Sequence, residues 1–162
     1  MFKFFNKKQK CDSKLVAPAT GKVIDLSKVP DPVFAQKMVG DGVAIDVTGE
    51  IIVAPADGTL TLVFKTKHAF AITLDNGIEL LVHIGLDTVS LNGEGFEQLV
   101  EEGKVVEAGT PIIKINRTFI LEKGLSLITP VLVTNPDIVS ELIELTGKDV
   151  KAGEDEVIIC KF

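Results

Sequence analysis

Only two residues of this 162-residue chain carry an imidazole, His68 and His83. Any reaction near neutral pH that needs imidazole must use one or both. Sites built on three histidines are excluded. A neutral imidazole has one nitrogen lone pair free to act as a nucleophile, and a second ring can donate hydrogen bonds to charge developing on the reacting group. Phosphoryl transfer suits such a pair, because it needs an in-line nucleophile and donors to the equatorial oxygens. Other chemistries lack their motifs. There is no Walker-type loop and no Gly-x-Gly-x-x-Gly for a nucleotide. No Gly-x-Ser-x-Gly elbow supports a serine triad. A zinc hydrolase would have to combine His68 and His83 with a carboxylate such as Asp87.

The segment that positions the pair runs from Phe64 to Val89. Its centre, Asp75-Asn76-Gly77-Ile78, lies between two β-type runs. Asn-Gly in that setting is the strongest short hairpin signal, since both loop residues of a type I′ turn need φ > 0. With Asn76 and Gly77 as a two-residue loop, Phe70 is expected opposite His83, Gly85 opposite His68, and Asp87 opposite Thr66. Thr66, His68 and Phe70 then share a face with Leu81, His83, Gly85 and Asp87. The histidines become diagonal neighbours, their Cβ atoms within about 7–8 Å. Gly85 is expected to leave a hollow for a small group. Parity decides the matter: a three-residue loop would put the histidines on opposite faces.

The rest of the chain reads as short β-strands, at 15–17, 21–25, 43–47, 50–53, 58–65, 68–74, 78–84, 111–115, 126–133 and 156–161. Two motifs recur. "APATGKVIDL" (Ala17–Leu26) returns as "APADGTLTLV" (Ala54–Val63), and "GKVVEAG" (Gly103–Gly109) as "GKDVKAG" (Gly147–Gly153). Each reads as turn then strand, so the domain is expected to be assembled from similar β units. Two helices are expected as well. "NPDIVSELIELTG" has Asn135 as N-cap, Pro136 at the first helical position, Gly147 beyond its end, and a stripe of Ile138, Leu142 and Leu145. "GFEQLVEEG" (Gly95–Gly103) is the other. The expected fold is an all-β antiparallel sandwich or barrel with internal duplication and short helices. "KVVEAGTPI" (Lys104–Ile112) is similar to a biotinyl or lipoyl domain, but Lys37-Met38 lacks the hairpin tip that a modified lysine requires.

The net charge of −6 is uneven. Residues 1–14 hold five lysines against Asp12, a net +4, which leaves the body at −10. That body disfavours nucleic acid and suits a basic protein partner. Residues 1–14 are expected to be a flexible basic tail, with 15–162 as one domain. Phe2, Phe4 and Phe5 beside lysines offer at most a weak membrane-surface contact. No segment has the apolar length of a membrane span or the order of a signal peptide, so the expected compartment is the cytoplasm. Cys11 and Cys160 are too few for a disulfide scaffold.

"TKHAFAI" (Thr66–Ile72), "LLVHIGLDTVSLNGEGF" (Leu81–Phe96), "DPVFAQKMVGDGVAI" (Asp31–Ile45) and the Ala-Pro-Ala-x-Gly repeats resemble the glucose-type enzyme IIA family of the bacterial sugar phosphotransferase system. The likeness runs from about Leu15 to Phe162. It implies a β-sandwich with barrel character that relays a phosphoryl group derived from phosphoenolpyruvate. The group would come from the carrier HPr and pass to a cysteine on the permease's IIB domain. It further implies His83 as the phosphorylated residue, His68 as its support and Thr66 in the hydrogen-bond network. The docking face would comprise Val33, Phe34, Val39, Phe64 and Leu81, with Asp31 and Asp87 on its rim. Pro32 and Leu81 depart from the family's usual aliphatic and Phe. No cofactor is required, though some relatives share a zinc ion with a partner through these histidines, and some regulate kinases or transporters. The residues alone leave two other readings open, a zinc hydrolase on a related β fold and a non-catalytic binding module.

Overall fold

The computed structural model describes residues 11–162. Its regular structure is mainly fourteen strands: β1 (Ser13–Val16), β2 (Gly21–Asp25), β3 (Asp41–Val47), β4 (Ile51–Val53), β5 (Gly58–Val63), β6 (Ala69–Thr73), β7 (Glu79–His83), β8 (Phe96–Gln98), β9 (Val105–Val106), β10 (Pro111–Ile115), β11 (Ile128–Val133), β12 (Glu141–Glu144), β13 (Asp149–Val150) and β14 (Glu156–Lys161). Two short helices, α1 (Pro32–Ala35) and α2 (Arg117–Glu122), interrupt them. An eight-stranded sheet runs β13-β2-β3-β11-β7-β6-β5-β9, and two three-stranded sheets run β1-β14-β12 and β4-β10-β8. All the pairings are antiparallel.

The large sheet reads the same from either edge, because the halves are copies. One half is β1–β3 with β11–β14, and the other is β4–β10. The repeated motifs make matching bonds. Gly153 donates to the Ala17 carbonyl and Gly109 to that of Ala54, each at 2.8 Å. Gly147 donates to Val23 and Gly103 to Leu60. The two Ala-Pro-Ala corners clasp each other, Val53 N–H on Pro18 O at 2.7 Å and Val16 N–H on Pro55 O at 2.9 Å. Leu15, Ile45, Ile52, Leu60, Phe70 and Ile113 fill the core between the sheets. A smaller cluster of Leu26, Val29, Phe34, Ala44, Leu86 and Leu132 lies apart from that core. Here α1 is held by Asp31, whose side chain caps the Val33 N–H at 3.0 Å.

Both expected helices are strands. After a 3-10 turn at Pro136–Ile138, Glu141–Glu144 pairs with β14, Leu142 opposite Cys160. Asn135 spends its amide elsewhere, accepting from Glu79 N–H at 2.9 Å and donating to Gly77 O at 2.8 Å. In Gly95–Gly103, Phe96–Gln98 pairs with β10. In each case a waiting strand edge supplies ladder bonds that outweigh a short helical stripe. Strand β1 begins at Ser13 and pairs with β14, so Ser13 and Lys14 belong to the body and not the tail. Residues 1–10, Phe2, Phe4 and Phe5 included, lie outside the described residues.

Candidate functional site

The β6–β7 hairpin carries both histidines, in a register one residue from that expected. Leu74 N–H reaches Ile78 O at 2.9 Å, so Asp75, Asn76 and Gly77 form a three-residue loop closed by Asn76 Oδ1 on Ile78 N–H and by Gly77 at φ 96°. Ala69 is therefore the residue opposite His83, and Phe70 faces Val82 in the core. On strict alternation this loop would separate the histidines. They meet because β6 starts one residue after His68. Lys67, at φ 60°, closes a tight turn onto Phe64 O at 2.8 Å, and alternation ends there.

The two rings lie edge to face, with centroids 4.9 Å apart and planes at 84°. Thr66 Oγ1 and His68 Nδ1 share a hydrogen bond of 2.6 Å. His83 Nδ1 is 2.9 Å from the Gly85 carbonyl oxygen. A carbonyl only accepts, so Nδ1 holds the proton and Nε2 of the neutral ring keeps its lone pair. Aromatic walls enclose the pair. Phe34 lies 4.9 Å from the His83 ring and Phe64 lies 5.3 Å from that of His68.

Gly85 leaves no hollow. A Cβ there would stand 2.6 Å from both Ser126 O and Thr88 Cγ2. The glycine is needed for its φ of 74° and for close packing against its neighbours.

Burial lowers both imidazole pKa values. His68 is 4% exposed and pushed down to about 4, first by burial and then by the neighbouring His83. His83 is also lowered by burial, against the opposing pull of the Gly85 carbonyl and the charges of Asp31 and Asp87. Both rings are thus neutral at pH 7.

The expected docking residues gather here unevenly. Asp31 caps α1, and Asp87 opens a 3-10 turn (Thr88–Leu91) with φ 60°. Val33 is exposed, whereas Val39, Phe64 and Leu81 are half-buried. Phe34 is only 6% exposed, so it is a wall of the histidine site more than open surface. Two exposed apolar residues join the face unannounced, Met38 just past α1 and Val89 just past Asp87. Among the described residues, no group of three or more His, Cys, Asp or Glu is placed to hold a metal ion, so Asp87 does not complete a zinc hydrolase centre. Nor, among those residues, is any helix long and apolar enough to cross a membrane.

Residues 13–139 match the family described as phosphoenolpyruvate-dependent sugar phosphotransferase system, EIIA 1, and the chain belongs to that family. Among its relatives, the PTS system glucose-specific EIIA component of Oceanobacillus iheyensis is 45% identical over 144 residues, covering 89% of this chain and 87% of the relative. The N-acetylglucosamine-specific EIICBA component of Klebsiella pneumoniae is 48% identical over 86% of this chain but only 22% of its own length. The solved glucose permease IIA from Mycoplasma capricolum superposes with a TM-score of 0.84 at 38% identity, covering 98% of this chain and 99% of that one.

Proposed function

We propose that this phosphoryl carrier of the sugar phosphotransferase system accepts its group on Nε2 of His83. The bond from His83 Nδ1 to the Gly85 carbonyl carries the reading, because it leaves the lone pair on Nε2. In the step, Nε2 bonds to phosphorus as the N–P bond of the donor's phosphohistidine breaks, and that electron pair stays on the donor nitrogen. No proton has to move, since Nδ1–H remains on Gly85. With Thr66 Oγ1–H donating to Nδ1 of His68, the His68 Nε2–H is left to donate to a phosphoryl oxygen. Transfer onward reverses the roles, with a thiolate as nucleophile.

The donor is HPr and the acceptor a cysteine of the IIB domain of a glucose-type permease. Val33, Met38 and Val89 supply apolar contact, and Asp31 and Asp87 meet basic residues of either partner. Both meetings take place in the cytoplasm, with residues 15–162 as one carrier domain. A zinc ion shared with a partner would draw on His68 and His83 themselves, and so would compete with the phosphoryl group.

Incubation with phosphoenolpyruvate, enzyme I and HPr, followed by mapping of the label, tests the reading. The expected product is one acid-labile phosphoryl group on His83. An acid-stable adduct, or a label elsewhere, would refute it.

A further inference from the structure

Three polar residues are buried among the described residues: His68, Thr88 and Thr129. All three converge on the short segment that follows His83. The His68 carbonyl accepts from Ile84 N–H at 2.6 Å, and Thr88 Oγ1 donates to the Ile84 carbonyl. Thr129 Oγ1 accepts from Gly85 N–H at 3.2 Å and passes its own proton to Leu127 O at 3.0 Å. Leu86 N–H, next along, bonds Ser126 O at 3.1 Å.

Gly85 sits between these anchors. Its carbonyl receives the Nδ1 proton of His83. Glycine has the loosest backbone of any residue, so its peptide must be held from outside. The peptide after it is fixed by Ser126 O and the peptide before it by the Thr129 hydroxyl. The β7–β11 ladder pairs Val82 with Val131 at its last step on β7. Beyond it, a side-chain oxygen replaces a strand carbonyl as the partner of Gly85 N–H.

We propose that Thr129 is a positioning residue for phosphoryl transfer. Its hydroxyl fixes the peptide before Gly85 and so, together with Ser126 O on the peptide after it, limits the turning of the glycine, aims the Gly85 carbonyl at His83 Nδ1 and keeps the nucleophilic lone pair on Nε2. Thr129 touches neither the histidine nor the phosphoryl group. Loss of its oxygen would strand a buried N–H and free the glycine to turn. The proposal rests on His83 being the acceptor.

The test compares Thr129→Val, which matches the shape, with Thr129→Ser, which keeps the oxygen. In the wild type, the ¹⁵N spectrum of His83 should show a protonated Nδ1 and an unprotonated Nε2. In Thr129→Val the two shifts should move toward each other, and phosphate acceptance should slow roughly 10-fold, as for loss of an outer partner of a functional histidine. Thr129→Ser should restore both. A folded Thr129→Val protein with wild-type shifts and rate overturns the proposal. Should that variant not fold, amide exchange at Gly85 in the wild type decides: slow exchange supports the bond to Thr129, and exchange as fast as at an exposed amide overturns it. Label on a residue other than His83 would overturn the acceptor reading instead. It would do so with the nitrogen shifts unchanged, which separates the two failures.

Discussion

The edge of one imidazole meets the face of the other, with His68 and His83 at 84° and 4.9 Å. Two rings this close cannot both be protonated cheaply in a buried setting. The arrangement therefore favours two neutral imidazoles side by side at neutral pH.

Stability should respond to acid through His68. Its pKa in the fold, about 4, lies below the 6.5 of an unfolded histidine. The unfolded chain thus binds the extra proton first, and stability falls as pH drops from about 6.5 toward 4. Denaturant unfolding of the wild type and His68→Gln at pH 7.5 and 4.5 should show the wild type losing more, by about 1–3 kcal/mol. Equal losses would contradict a buried neutral His68.

The two histidines should fail differently. His83→Ala is expected to take no phosphate from phospho-HPr. His68→Gln should still be phosphorylated but pass the group to IIB at least about 10-fold more slowly, since its flexible amide N–H is not held in place as the ring N–H is through Thr66. Rapid-quench measurement of each half-reaction separates the two, and normal transfer in both directions by His68→Gln would remove His68 from the mechanism.

Gly85→Ala should be costly out of proportion to its size. The new methyl meets Ser126 O and Thr88 Cγ2 at 2.6 Å in a left-handed backbone. A loss of roughly 2–4 kcal/mol is expected from strain and overpacking together. Thermal unfolding measures it, and an unchanged Tm would mean that the segment after His83 is looser than described.

Charge at the rim should govern encounter. Asp31→Lys with Asp87→Lys should slow association with HPr by about 10-fold at low salt, with the difference shrinking as salt rises. Asp149→Lys, on edge strand β13, serves as the control. Stopped-flow association at two ionic strengths checks it, and equal effects from the rim and control variants would argue against a directed docking face.

Much of this was legible in the residues. Strands β2, β10 and β14 end where the pattern placed them, because alternation and flanking glycines there agree with the ladder. The histidine pair was reached through a register that the hairpin does not use. Side-chain alternation describes residues inside a strand, and His68 lies one step outside. The left-handed turn at Lys67 leaves little trace in a lysine. Asn116, which caps α2 by accepting from Phe119 N–H at 3.1 Å, passed unnoticed because a six-residue helix has too few turns to show a period. Thr129 reads as any strand threonine until the Gly85 N–H is seen beside it.

The duplicated halves are nested, not consecutive. Residues 51–115 form one copy, threaded into the other between β3 and β11, the place that the β6–β7 hairpin occupies within the inner copy. By the same correspondence His83 maps onto Leu132 and His68 onto Asp41. Only the inserted copy is chemically armed. Its host contributes Phe34 against the His83 ring, Asp31 near it, and Thr129 on the Gly85 N–H. Neither copy alone holds a complete site, and one cut in the middle of the chain cannot divide them. The nitrogen spectrum of a single side chain, His83, is therefore a gauge of whether guest and host are properly seated on one another.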